Sequence, residues 1–118
     1  MSLEHLDEPT YSSRLANLWQ RLQLTYPSEI SWFFRGEFEI DGVPQALSLE
    51  AHILNTDPQE LRGPLIGIMT VTRRSDGETI VAINDNNVCA ARPDDENFRR
   101  QFELLESIIT QIAPMPNP

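Results

Sequence analysis

The sequence predicts an α+β fold: an antiparallel sheet of four to five strands, built from two hairpins and flanked by an N-terminal and a C-terminal amphipathic helix. Three observations lead there. Apolar residues recur every three or four positions in the first and last segments, the period of one helix face. Between them, apolar and charged residues alternate with period two, as in half-buried strands. Asp41-Gly42 separates two such runs and is a dipeptide whose conformation suits a tight hairpin. At 118 residues and 40% hydrophobic composition, the chain reads as one domain over 1–118, with 1–9 a mobile leader and 114–118 a mobile tail.

The first helix presents Tyr11, Leu15, Leu18, Trp19, Leu22 and Tyr26 on one face, with Thr10 as N-cap and Pro27 as stop. The next run alternates Ile30, Trp32, Phe34, Phe38 and Ile40 with Ser31, Arg35, Glu37 and Glu39. If Asp41-Gly42 sets the register, Ile40 faces Val43, Phe34 faces Leu49, Trp32 faces Ala51 and Ile30 faces Ile53, so the apolar partners share one side. Pro44 then falls opposite Glu39, where its missing N–H marks an edge on the outer side.

Asn55 to Pro64 is a polar break with room for a short helical turn around Gln59 to Leu61. A second hairpin follows, Leu65 to Arg73 returning as Thr79 to Asn84 around Ser75-Asp76-Gly77. With Asp76-Gly77 as the whole turn, Ile66, Ile68, Val81 and Ile83 take one face and Leu65, Met69, Val71 and Ile80 the other. Both faces are then partly apolar, and either a partner covers the second or the two helices bury the hairpin. Asn84 to Asn87 reads as a turn, and Val88 to Ala91 as a short final strand. Phe98, Phe102, Leu105, Ile109 and Ile112, widened by Leu104 and Ile108, form the last helix face. Pro93-Asp94-Asp95-Glu96 suits its positive N-terminal end and Pro114 ends it.

The chain contains no lysine: its nine cations are arginines, against eighteen carboxylates and a net charge of −9. Schiff-base chemistry, a pyridoxal phosphate linkage and a Walker-type lysine are therefore excluded. Nucleic acid and anionic membrane surfaces are disfavoured, because only Arg73-Arg74 and Arg99-Arg100 adjoin. One cysteine, Cys89, leaves no internal disulfide, and Glu4, Asp7 and Glu8 stand where a signal peptide would carry positive charge. The expected location is cytoplasmic.

Catalytic chemistry is sparse. His5, His52 and Cys89 are the only imidazoles and thiol; His52 alternates as an outward strand position, and Cys89 reads as a small hydrophobe. Their separations do not match a zinc motif. Asp85-Asn86-Asn87 lacks the glycine and distal glutamate of a calcium loop, and Asp94, Asp95 and Glu96 are explained by helix capping. No catalytic, cofactor or metal residue is assigned, and no cofactor is expected. What remains is surface. Phe33 projects on the polar face of the first strand opposite Glu50, and Leu54 ends that face on the return strand. Such exposure is either incidental, or Phe33, Leu54 and Met69, the last on the second apolar face of the later hairpin, contact a partner protein, with Arg35 pairing a partner carboxylate.

A short acidic chain that opens with an amphipathic helix ending Leu22-Gln23-Leu24-Thr25-Tyr26-Pro27 resembles the class I chaperones of type III secretion systems. The likeness runs on through strands around Phe34-Arg35-Gly36-Glu37-Phe38 to a closing helix with Phe102-Glu103-Leu104-Leu105-Glu106-Ser107-Ile108-Ile109. The resemblance implies a homodimer that holds the extended, non-globular segment of a client protein by strand addition and apolar grooves. The family also places a substantial helix after its third strand and dimerises through that region, whereas this chain offers only Asp57 to Leu61, after its second. Two other readings stand beside it: an assembly or regulatory subunit with one permanent protein partner, and a small hydrolase or metal-dependent enzyme around His52 and acidic residues.

Overall fold

The computed structural model describes residues 10–27, 29–54, 67–92 and 94–113. Its order is α1 (Tyr11–Thr25), β1 (Ser31–Ile40), β2 (Val43–Ile53), β3 (Gly67–Arg73), β4 (Glu78–Asn84), α2 (Asp85–Ala90) and α3 (Glu96–Ile112). The four strands form one antiparallel sheet in the order β1-β2-β3-β4. The fold is the α+β arrangement that the sequence predicts. Expectations for the leader, the tail and the helical turn around Gln59 to Leu61 lie outside the described residues.

Helix α1 starts where the Thr10 hydroxyl accepts from the Ser13 N–H at 3.1 Å, satisfying one of the unpaired donors of the first turn. Its stripe of Leu15, Leu18, Trp19 and Leu22 is buried. Asp95 caps α3 by accepting from the Phe98 N–H at 3.0 Å, and Phe102, Leu105, Ile108 and Ile109 are buried. Both stripes meet one face of the sheet in a single core with Trp32, Phe38, Leu47, Leu49, Met69, Val71, Val81 and Ile83. Each of the larger side chains contributes roughly 1.5–3 kcal/mol on burial.

Two arginines tie the helices to each other. At one end Arg14 pairs with Glu106 while its guanidinium carbon lies 5.1 Å from the Tyr11 ring centroid and 4.9 Å from that of Phe102. The hydrogen bond to Glu106 is the main reason the Arg14 pKa is raised further. At the other end Arg21, only 7% exposed, donates to the Ala113 carbonyl and the Thr110 hydroxyl, each at 3.0 Å. A cation at the C-terminus of α3 faces the negative end of that helix.

The first hairpin has the anticipated register: Ile40 opposite Val43, Phe34 opposite Leu49, Trp32 opposite Ala51 and Glu39 opposite Pro44. Asp41 and Gly42 both take positive φ, 53° and 80°, the geometry of a turn matched to strand twist. Ile30 and Val43, at the ends of the apolar alternation, are exposed.

The second hairpin differs from expectation. Its turn is the four residues 74–77, so Arg73 pairs with Glu78 and Thr72 with Thr79, and a bulge then leaves Ile80 unmatched before Val71 meets Val81 and Met69 meets Ile83. A shift of one residue exchanges the two faces of a strand. Met69, Val71, Val81 and Ile83 consequently share the core face, with Ile68 on the other, while Leu65 and Ile66 lie outside the described residues. The extra residue of a bulge points its side chain off the regular alternation, and Ile80 packs half-buried against the core. Val88 to Ala91 is not a strand. Asn84 and Asn87 exchange side-chain to backbone bonds of 2.9 Å as a capping box, and the chain turns into α2.

Candidate functional site: the outer sheet face and the β1 edge

The sheet face away from the helices is built by the outward positions of β1 and β2. Along β1 these are Ser31, Phe33, Arg35, Glu37 and Glu39, all exposed, and Phe33 is 57% exposed despite its size. The Arg35 guanidinium carbon lies 5.9 Å from the Phe33 ring centroid, a cation held over an aromatic face. Toward the hairpin end, Arg35, Glu37, Ser48, Thr72 and Arg74 surround a shallow depression of about 620 Å³. Both of its arginines lack a described carboxylate partner, whereas Arg73 beside them is held by Asp76 and Glu78 at 2.7 Å.

Leu54 is exposed as anticipated, at 63%, and continues the outward alternation one position beyond β2. It does not join Phe33. Phe33 is opposite Glu50, so four residue steps, about 14 Å, lie between the two positions, with the Ser31–His52 pair between them. Met69 is a correction. It stands opposite Ala51 of β2 on the core side and is fully buried, and the bulge in β4 brings Ile83 to the same face, so it offers no surface to a partner. Of the four expected contacts, the structure brings Phe33 and Arg35 together, sets Leu54 apart and removes Met69.

The β1 edge is the second part of the site. Ile53 donates to the Ile30 carbonyl at 2.8 Å, which fixes the hydrogen-bonding parity: even-numbered β1 residues bond to β2, and odd-numbered ones aim their N–H and C=O away from the sheet. At Glu39 these groups are occupied, since its N–H donates to the Gln111 Oε1 at 3.0 Å and its carbonyl accepts from Gln111 Nε2 at 3.0 Å. A side-chain amide of α3 thus stands in for a neighbouring strand. The β4 edge is treated alike, with Asn87 donating to the Ala82 carbonyl at 2.8 Å and accepting from the Asn84 N–H at 2.9 Å. Among the described residues, the edge groups of Ser31, Phe33, Arg35 and Glu37 have no such cap.

His52 Nδ1 lies 3.0 Å from the Ser31 hydroxyl across the β1–β2 pair, and no described carboxylate is hydrogen-bonded to its ring. Cys89 is exposed on α2. Among the described residues no group of three or more His, Cys, Asp or Glu is placed to hold a metal ion, and no helix is long and apolar enough to cross a membrane. The sequence reading missed Gln111 and Asn87. An amide that caps a distant strand leaves no periodic signal, although Asn84-x-x-Asn87 carries the spacing of a capping box. Compared with known proteins, the chain matches no family model, no curated protein and no solved structure.

Proposed function

We propose that this chain is a protein-binding module that holds an extended segment of a client protein on its outer sheet face, as a cytoplasmic secretion chaperone does. The observation that carries this reading is Phe33: a large aromatic more than half exposed in the middle of a strand, with the Arg35 guanidinium, which has no carboxylate partner among the described residues, over it. An extended segment lying across that face supplies what each part lacks, an apolar side chain for Phe33 and a carboxylate for Arg35. Leu54 forms a second, separate apolar contact about four residues along the same path. The acidic composition, −9 overall, keeps such a surface soluble between clients.

The test is native mass spectrometry and hydrogen exchange on the tagged protein purified from its own source. The expected result is a bound, larger protein protected over one contiguous segment, lost on substitution of Phe33→Asp with Leu54→Asp while the circular dichroism spectrum is unchanged. Binding that persists in the double variant removes these residues from the site. A wild-type chain that carries no protein rejects the chaperone reading.

A further inference from the structure

The open run of the β1 edge is complementary to itself. Among the described residues its uncapped groups belong to Ser31, Phe33, Arg35 and Glu37, and the run is centred on Phe34. Gln111 closes it on one side at Glu39, while the β4 edge is closed by Asn87 and interrupted by a bulge, both devices that block strand addition. We propose that two copies of this chain join antiparallel through this run, with a twofold axis at Phe34, merging two sheets into one.

The pairing follows from parity. Ser31 exchanges hydrogen bonds with Glu37 of the second copy, and Phe33 with Arg35 of the second copy, giving about eight interchain bonds. Each Arg35 then meets the Phe33 ring of the other copy as well as its own, which continues the cation–ring contact already present. On the helix side, Phe34 meets its own symmetry mate beside Tyr26, and both rings are only half-buried in the single chain. Slipping the strands two residues one way sets Arg35 against Arg35. Slipping them the other way sets Phe33 against Phe33, with one pair fewer. The register centred on Phe34 alone uses the whole open run, and inside that run it opposes no like charges, the Glu29 and Glu39 positions meeting just beyond it. The second copy therefore brings two Phe33 rings and two guanidinium groups together at the centre of the outer face. The pairing does not depend on the client reading.

Cross-linking tests the register. In a Cys89→Ser background, Ser31→Cys and Glu37→Cys proteins are mixed and mildly oxidised. Opposed residues about 5.5 Å apart are within disulfide reach, whereas two copies of the same variant hold their thiols about 20 Å apart. The mixture is expected to give at least about fivefold more disulfide-linked dimer than either variant alone. Equal yields overturn the register. Arg35→Pro supplies the second measurement. It deletes an edge-facing N–H while leaving the β1–β2 ladder intact, and sedimentation should show dimer affinity weakened at least about tenfold. A wild-type chain that sediments as a monomer at about 50 µM, a concentration that populates any dimer with a micromolar Kd, overturns the proposal. A cooperatively folded Arg35→Pro dimer of undiminished affinity does so too.

Discussion

Gly67→Ala should be among the most damaging single-methyl changes in this chain. A Cβ on Gly67 lies 2.5 Å from the His52 carbonyl oxygen and 2.8 Å from Trp19 Cη2, with Trp19 Cζ2 nearer still, whereas carbon atoms pack at about 3.5–4.0 Å. Neither neighbour yields easily. Trp19 is 1% exposed within the core, and the His52 carbonyl belongs to the strand paired with β3. The methyl must therefore push β2 and β3 apart or drive the indole into α1. Overpacking of this kind costs about 1–3 kcal/mol, and a backbone obstacle places Gly67→Ala near the top, about 3 kcal/mol. At about 4 °C per kcal/mol for a domain of this size, the melting temperature falls by roughly 12 °C. Urea denaturation and thermal melts followed by circular dichroism measure both quantities. Gly36→Ala is the control, since nothing lies within 4 Å of a Cβ there, and it should be neutral or stabilising by up to about 1 kcal/mol. If the two variants melt within about 3 °C of each other, the steric reasoning is wrong.

Arg21→Met keeps the apolar stem but removes donors from the Ala113 carbonyl and the Thr110 hydroxyl. Charge-assisted bonds of about 1.5–3 kcal/mol, offset by the desolvation of the guanidinium, leave an expected loss of about 2 kcal/mol in urea denaturation. Asp76 has its pKa lowered, first by the Arg73 side-chain hydrogen bond and then by the Glu78 N–H. Its contribution is therefore present above the unfolded carboxylate value and is lost as pH falls through the lower folded value. Asp76→Asn should be less stable than wild type near about pH 7 and level with it near about pH 2, and a gap that persists in acid contradicts the assignment. Gln111→Ala should leave global stability nearly unchanged yet speed hydrogen exchange of the Glu39 N–H by at least about tenfold. Unchanged exchange would mean that the amide does not cap the edge.

Elements with strong local signals were legible in the sequence. The first hairpin was readable because turn chemistry and alternation agree: only one register places Trp32, Phe34, Leu49 and Ala51 on the same side of an Asp41-Gly42 turn. The helices were readable because their stripes follow Thr10 and Asp95, residues suited to capping. The second hairpin was misread because Asp76-Gly77 resembles a two-residue turn. Here Asp76 instead bonds Arg73 and the Glu78 N–H inside a four-residue loop, and the bulge at Ile80 shifts the register once more. The missed bulge, not the turn length, exchanged the faces and carried straight into the site, turning a core methionine into an expected contact. Phe33 and Leu54 were found because an apolar residue at an outward position is visible to periodicity. Arg21, Gln111 and Asn87 were not found, because their partners lie across the fold, and such contacts appear only when helices and strands are assembled.

The Asn87 carboxamide belongs to two structures at once. It completes the start of α2 and covers the outer edge of β4, so neither can loosen without the other losing hydrogen bonds. A fluctuation that unwinds this six-residue helix also bares a strand edge to any neighbouring chain. The shortest helix among the described residues thus serves as a lid on a strand: the Ala82 carbonyl and the Asn84 N–H stay covered only as long as its first turn holds.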